Sequence, residues 1–265
     1  PCRIGLLLLF FSLALRGSLA VPQAKQHDTW YGREGVDGRP YTGYGPAHAW
    51  MVVPFYSLGR TAGAALAIPE QSHDLILYLS ALLSNSFLAA LLACLFHYLL
   101  CRLDVPLRIS FAASLGLVFA TPIWPYTGTL FSEIWTALLL LAGLAFLEQA
   151  VSRGKTGYPA VIGCGMCLGL ALMSRPNHVV AVGVFAIALL LAPLSRTRRV
   201  RQVLLLGAIT TAFLGATFFL NYLHFQDVFQ FGYADQVEGG KILTAFNTPL
   251  HLGLWGLFLS PGKSL

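Results

Sequence analysis

Two ionisable residues, Glu133 and Arg175, stand beside apolar runs, where a charge is costly unless it is used or paired. Glu133 lies one turn into the apolar run Leu130–Val151. Arg175 ends the run Ala160–Met173, and Pro176 stops the helix there. A carboxylate in such a place can line a water-filled functional cavity or form a structural hydrogen bond to a neighbouring helix. The guanidinium can bind an anion or anchor the helix end, and the sequence leaves these alternatives open.

Other candidate side chains fall in two polar stretches and one short uncharged joint. The longest polar stretch, residues 22–74, holds five of the chain's eleven acidic residues. The candidates in this stretch are Asp28, Asp37, Arg39, Tyr41 and Tyr44. The uncharged joint Thr121–Tyr126 adds Tyr126, and the second polar stretch, residues 224–265, adds Lys263. Asp37 precedes Gly38, a pair that equally well caps a tight turn.

The cysteines do not predict a metal or disulfide site. The five cysteines are an odd number and lie within or beside apolar segments, unlike a disulfide framework. Cys164 and Cys167 have the spacing of half a zinc site, but no second ligand pair accompanies them. Glycines surround both, so the segment Gly163–Gly169 is better interpreted as a face for close helix packing.

The composition is that of a polytopic membrane protein. Of 265 residues, 56% are hydrophobic and only 11% charged, against about 25% charged in soluble domains. These figures exclude disordered, collagen-like, coiled-coil and disulfide-rich classes. The net charge of +6 does not indicate nucleic-acid binding, because the one dense basic cluster, Arg196–Arg201, sits between two apolar runs. The chain begins with Pro1 rather than methionine, and we expect it to be a fragment.

Hydropathy at about 20 residues a span predicts an all-α fold with about seven transmembrane helices in a single domain. The first is Ile4–Val21, with a signal peptide ending near Ala20 as the alternative. The others are Leu75–Leu100, Ile109–Tyr126, Leu130–Val151, Ala160–Met173, His178–Leu194 and Val203–Leu223. In the loop 22–74, the short apolar pieces Ala49–Tyr56 and Leu58–Ile68 suit helices that lie in the membrane interface.

The positive charges predict the orientation. The joints Arg102–Arg108, Ser152–Pro159 and Ser195–Arg201 together contain eight basic residues, whereas the joints Thr121–Tyr126 and Ser174–Asn177 contain one. The positive-inside rule therefore assigns the first three joints to the cytoplasm. Alternation then assigns the loops 22–74 and 224–265, with the other two joints, to the outer face.

Seven short motifs occur in an order typical of one family. They are Asp37-Gly-Arg-Pro-Tyr-Thr-Gly-Tyr-Gly-Pro46, Val53-Pro-Phe-Tyr-Ser-Leu-Gly59, Thr121-Pro-Ile-Trp-Pro-Tyr126, Phe131-Ser-Glu133, Gly169-Leu-Ala-Leu-Met-Ser-Arg175-Pro, Asn221-Tyr through Phe231-Gly-Tyr233, and Leu257-Phe-Leu-Ser-Pro-Gly-Lys263. This set resembles the bacterial C-type membrane glycosyltransferases, which are relatives of protein O-mannosyltransferases and of the lipid A aminoarabinose transferase. The resemblance covers almost the whole chain from Gly17 onward.

The resemblance implies transfer of a sugar from a polyprenyl-phosphate donor to a hydroxyl of a lipid, glycan or protein acceptor. The reaction would invert the anomeric centre at the outer face of a bacterial inner membrane, with an acidic general base and basic groups that stabilise the leaving phosphate. It implies catalytic roles for Asp28, Asp37 and Glu133 and substrate-binding roles for Arg39, Tyr41, Tyr44, Tyr126, Arg175 and Lys263. No nucleotide is needed, and participation of a divalent metal stays open.

One departure from the family concerns the base. The family's acidic pair lies at the outer end of the first helix, where this chain has Leu13–Val21 and no acid before Asp28. Either Asp28 substitutes for that pair or the acid lies upstream of Pro1. A transporter or flippase-like carrier, and a non-catalytic truncated relative, are the competing hypotheses. The absence of an internal repeat and the polar residues gathered at one face favour an interfacial enzyme over a transporter.

Overall fold

The computed structural model describes residues 17–21, 32–42, 45–66, 69–152 and 157–230, which form mainly α-helix with one small hairpin. The hairpin pairs β1 (Gly32–Glu34) with β2 (Pro40–Thr42) in antiparallel register, Arg33 opposite Tyr41. A 3₁₀ turn at Pro176–His178 separates two of the helices. The helices are α1 (Pro46–Ala65), α2 (Glu70–Arg102), α3 (Leu107–Phe119), α4 (Ile123–Thr127), α5 (Glu133–Ser152), α6 (Tyr158–Ser174), α7 (Val179–Leu191) and α8 (Arg196–Phe225).

Three helices in the described part of the chain are long and apolar enough to cross a membrane. They are Ser72–Arg102 within α2, Glu133–Ser152 and Arg196–Phe225. Three apolar helices are shorter, namely Leu107–Phe119, Tyr158–Ser174 and Pro176–Leu191. The membrane class predicted from composition thus has three candidate spans, and the fuller number of about seven stays a prediction.

The predicted span Ile109–Tyr126 is wrong as one continuous helix. Helix α3 ends at Phe119, and α4 begins only at Ile123. Pro122 has no N–H to continue the helical pattern. The Thr121 hydroxyl donates to the carbonyl of Leu117 at 2.5 Å and accepts from the N–H of Ile123 at 3.3 Å, which stabilises the break.

Two predictions about the amino-terminal third also need correction. The end of the predicted span Ile4–Val21 is not helical, because Ala20 bridges to Tyr41 and the N–H of Val21 donates to the carbonyl of Pro40 at 2.7 Å. Residues 4–16 of that span lie outside the described residues.

The two interfacial pieces predicted in the loop 22–74, Ala49–Tyr56 and Leu58–Ile68, are joined in one helix, α1, which continues through Pro54 and ends at Ala65. Residues 67 and 68 of the second piece lie outside the described residues. A proline within a helix removes one backbone hydrogen bond, and the packing of the helix compensates for that loss. Here Ala49, Val52 and Tyr56 are buried on one side of α1 and anchor it to the bundle.

Contacts between joints define the two ends of the bundle. At the arginine-rich end, Arg102 forms an ion pair with Glu148, and Arg198 donates to the carbonyl of Ala150 at 2.9 Å. At the other end, which we call the Arg175 end, Arg175 pairs with Glu133. The joints therefore alternate between the ends as the order of the predicted spans requires, while the side of the membrane on which each end lies stays a prediction.

Small residues of α6 set how closely its neighbours approach. A Cβ added at Gly169 would overlap the ring of Phe213, and one at Gly165 would lie 3.0 Å from Ile209, both on α8. Cys164 and Cys167 are buried in the same helix and are not in a disulfide. The interpretation of this segment as a packing face agrees with these contacts.

Candidate functional site

The chain brings a carboxylate and a guanidinium together by ending one helix and starting another at the same end of the bundle. Glu133 is the first residue of α5, rather than lying one turn into a helix as expected. A carboxylate in a first helical turn is favoured by the helix dipole. Arg175 directly follows α6 with extended backbone angles (φ −151°, ψ 118°), which direct it out of the helical path. The two predicted site residues are thus placed by helix termini.

The geometry of the pair is close and directional. Arg175 Nη2 donates to Glu133 Oε1 at 2.7 Å, and Arg175 Nε donates to the hydroxyl of Ser132 at 2.9 Å. The two charged side chains are 34% and 32% exposed. Glu133 Oε2 is buried and accepts no hydrogen bond from the described residues. The pair therefore retains one unused acceptor oxygen while its charges offset each other.

A second contact fixes the two helices beside the ion pair. The indole Nε1 of Trp135 donates to the Ser174 hydroxyl at 3.1 Å, and that hydroxyl donates to the Leu170 carbonyl at 2.9 Å. Ser174 immediately precedes Arg175, and Trp135 follows Glu133 by two residues. This bond between α5 and α6 limits the freedom of both charged residues.

The loop before Glu133 is held by one buried amide. Asn85, fully buried on α2, donates to the carbonyls of Thr129 at 2.7 Å, Phe131 at 2.9 Å and Tyr126 at 3.5 Å. The Tyr126 ring packs edge-to-face on Phe131, with centroids 6.2 Å apart. Tyr126, a predicted substrate-binding residue, thus lies in helix α4 directly before the loop that leads to the ion pair.

His48 on α1 completes this polar region. It is 3% exposed, and burial is the main reason that its pKa falls to about 4 from the usual 6.5. A hydrogen bond with Asn85 opposes that shift, and the positive charge of Arg175 adds to it. The imidazole is therefore neutral at pH 7. The proximity of His48 to Asn85 and Arg175 is visible only in the fold, because the three residues lie far apart in the sequence.

Three other predicted residues lie together in the β-hairpin. Asp37 Oδ1 accepts from the Arg39 N–H at 3.0 Å, and Asp37 Oδ2 accepts from the Tyr41 hydroxyl at 2.9 Å. The slight burial of Asp37 raises its pKa, but these bonds and the Arg39 charge outweigh it, so the pKa is lowered. Burial and the Asp37 contact raise the pKa of Tyr41 to about 12. Asp37 thus stabilises the turn, where Gly38 has a positive φ of 71°.

The hairpin is docked on the carboxyl end of α8. The ring of Tyr41 stacks on that of His224 with centroids 4.0 Å apart, and the Val36 N–H donates to the His224 carbonyl at 2.9 Å. These contacts hold Asp37 and Arg39 against the last described turn of the bundle.

The predicted site residues therefore fall into two groups. The first is the ion pair of Glu133 and Arg175, with Tyr126 nearby in helix α4. The second is the hairpin group of Asp37, Arg39 and Tyr41. Asp28, Tyr44 and Lys263 lie outside the described residues. Sequence reasoning did not single out Ser132, although it lies in the quoted motif Phe131-Ser-Glu133. Nor did it identify the bond between Trp135 and Ser174.

No family model, curated protein or solved structure matches this chain. Among the residues that the structure describes, no three His, Cys, Asp or Glu side chains come close enough to hold a metal ion.

Proposed function

We propose that this chain is part of a polytopic membrane glycosyltransferase that uses a polyprenyl-phosphate-linked sugar. The acceptor is a hydroxyl of a lipid, glycan or protein at the outer face of a bacterial inner membrane. The observation that carries the proposal is the ion pair between Arg175 and Glu133, which places a guanidinium at one end of an apolar bundle. The ordered resemblance of the motifs supplies the reaction class.

In the proposed site, Arg175 binds the phosphate of the donor. Two of its nitrogens are held by Ser132 and Glu133, which leaves Nη1 without a hydrogen bond to the described residues. A guanidinium bonds phosphate oxygens strongly, and its fixed orientation reduces the entropy lost on binding. Glu133 acts as a positioning residue for Arg175, because its Oε1 holds the guanidinium in place.

The proposed reaction breaks one bond and forms another at the anomeric carbon. The acceptor oxygen attacks that carbon from the side opposite the phosphate, the bond from carbon to phosphate oxygen breaks, and the configuration inverts. The polyprenyl phosphate leaves with the electron pair, and a carboxylate takes the proton of the acceptor hydroxyl. The family's acidic pair has no counterpart at its usual place in this chain, and we propose that Asp28 substitutes for it. Arg175 offsets the charge that develops on the departing phosphate.

A transfer assay on the full-length protein tests the proposal. Purified protein in liposomes is given a radiolabelled polyprenyl-phosphate sugar and acceptor, and the labelled product is counted. We expect Arg175→Gln to reduce transfer roughly tenfold to a hundredfold, since a hydrogen bond to a charged group contributes about 1.5–3 kcal/mol. We expect Asp28→Asn to reduce transfer more strongly than Arg175→Gln.

The matched control is Arg102→Gln. Arg102 also pairs with a glutamate, Glu148, at 2.9 Å and with similar exposure, but at the arginine-rich end. The variant Arg102→Gln should transfer sugar at a rate within about twofold of wild type, as expected for a substitution at the surface. Full transfer by Asp28→Asn would show that Asp28 is not the base. Uptake of a solute into the liposomes without any transfer would instead favour the transporter hypothesis.

A further inference from the structure

An apolar groove opens at the arginine-rich end of the bundle, away from the proposed transfer site. It lies between α5 and α7 and has a volume of about 450 Å³. Its walls are mainly aliphatic and include Leu144, Leu147 and Val151 of α5, with Ala188 and Leu191 of α7. Leu191 is 78% exposed, so the groove is open to its surroundings. Within a bilayer, such a groove faces hydrocarbon chains.

Two arginines at the start of α8 hydrogen-bond to backbone carbonyls of residues that directly precede wall residues of this groove. Arg198 Nη2 donates to the carbonyl of Ala150, next to the wall residue Val151. Arg199 Nη1 donates to the carbonyl of Leu190 at 2.7 Å, next to the wall residue Leu191. Both acceptors are neutral backbone carbonyls. Arg198 Nε is buried and has no hydrogen-bond partner among the described residues.

The acidic residue in the groove wall does not neutralise these arginines. Glu148 lines the groove, but Arg102 Nη2 binds its two carboxylate oxygens at 2.9 and 3.1 Å. Asp104 is the other carboxylate among the described residues of this end, against the arginines at positions 102, 108, 196, 198, 199 and 201. Among the described residues, arginines therefore outnumber carboxylates at this end of the bundle, and Arg198 and Arg199 bond only neutral carbonyls beside the groove.

We propose that an anionic phospholipid binds here, with its phosphate on Arg198 and Arg199 and an acyl chain in the groove between α5 and α7. Basic pockets between membrane helices recognise anionic headgroups through this combination of charge and apolar surface. The site is separate from the proposed donor site in both position and ligand, and it does not depend on sugar transfer. It gives the protein a preference for anionic lipid at its arginine-rich end.

The test is competition between lipids for the full-length protein. The protein is first reconstituted in nanodiscs of phosphatidylcholine with a small fraction of phosphatidylglycerol. It is then extracted into detergent, and the lipids that stay bound to it are quantified by native mass spectrometry. We expect phosphatidylglycerol to be retained in preference to phosphatidylcholine. Arg199→Gln should reduce that preference about fivefold, since one basic residue near an anionic surface contributes about that factor.

Two further variants test whether an acyl chain occupies the groove, and neither changes the charge of the protein. Ala188→Phe fills the groove and should reduce retention of phosphatidylglycerol at least fivefold. Leu191→Trp blocks it from an exposed position, so it serves if Ala188→Phe does not fold. The control for charge is Arg108→Gln, an exposed arginine at the same end of the bundle, and it should leave the preference unchanged. Unlike Arg199, Arg108 has no hydrogen bond to a residue next to the groove wall among the described residues.

Three results would overturn the proposal. Equal loss of preference in Arg108→Gln and Arg199→Gln would show general electrostatic attraction without a site. Unchanged retention in a folded groove-filling variant would show that no acyl chain occupies the groove. Equal displacement of phosphatidylglycerol by millimolar inorganic phosphate in wild type and Ala188→Phe would show a free-anion site.

Discussion

Arg175 Nη2 lies 2.7 Å from Glu133 Oε1, although the two residues are 42 positions apart and belong to different helix ends. The contact exists because α6 ends at Ser174 and α5 begins at Glu133 at the same end of the bundle. Arg102 and Glu148 form an ion pair of similar length and exposure at the opposite end. The described part of the chain thus contains two chemically alike pairs of arginine and glutamate, of which only one lies in the proposed site.

These two pairs should contribute similarly to the stability of the fold, whereas only the pair of Arg175 and Glu133 should affect sugar transfer. Both are more than 30% exposed, so double-mutant cycles with Arg→Gln and Glu→Gln should give coupling energies of about 1 kcal/mol or less for each. The free energy of unfolding can be measured by titration with SDS in mixed micelles. A coupling several times larger for Arg175 and Glu133 would show that their role is structural, which would weaken the proposed phosphate contact.

Replacing Asn85 with leucine should destabilise the protein by about 2–4 kcal/mol. Its amide satisfies the carbonyls of Thr129 and Phe131, and leaving buried carbonyls unpaired costs about 1–3 kcal/mol each. The control is Asn221→Leu, which removes one bond to Val228 in a partly exposed turn and should cost about 1 kcal/mol. Equal effects of the two substitutions on unfolding would contradict this account of Asn85.

Gly169→Ala should destabilise the protein by about 1–3 kcal/mol. The added methyl group would overlap the ring of Phe213 and force α6 and α8 apart. Gly207→Ala on α8 is the matched control, because nothing lies within 4 Å of its added Cβ, and helix propensity predicts a gain of about 0.5–1 kcal/mol. The sign of the change in unfolding free energy therefore separates the two positions, and destabilisation by Gly207→Ala would refute this packing.

Acid should destabilise the fold through His48. Its folded pKa of about 4 lies below the ordinary 6.5, so the unfolded state binds a proton more readily. The stabilisation from the neutral, buried imidazole is fully present above pH 6.5. It is lost as the pH falls from 6.5 through 4, which lowers the free energy of unfolding by up to about 3 kcal/mol. We expect His48→Gln to lose this part of the pH dependence and His73→Gln to retain it. An unchanged pH profile in His48→Gln would show that the imidazole is not buried in its neutral form.

The apolar helices could be predicted closely because their signal is local. The predicted runs Leu75–Leu100 and Leu130–Val151 fall almost wholly within α2 and α5. The start of α8 differs from the prediction, because the charges of Ser195–Arg201 predict a joint there and a span only from Val203. Arginine has good helix propensity, and the helix begins within that charged segment at Arg196.

The candidate site could be predicted only in part. Glu133 and Arg175 stand out because a charge beside an apolar run is unusual, but nothing in their spacing shows that they touch. The bond from Arg175 to Ser132 likewise depends on where α6 ends relative to α5. Asp37 illustrates the opposite case, since the pair Asp37 and Gly38 indicates a turn locally, and the hydrogen bonds to Arg39 and Tyr41 follow from it.

The most direct test of the central claim is the affinity of the full-length protein for a labelled polyprenyl phosphate, the product released in the proposed reaction. We expect Arg175→Gln to weaken this affinity at least tenfold and Arg102→Gln to leave it within twofold of wild type. That result would place the lipid phosphate at the Arg175 end. Equal affinity of wild type and Arg175→Gln, or equal weakening by the two substitutions, would contradict the proposed site.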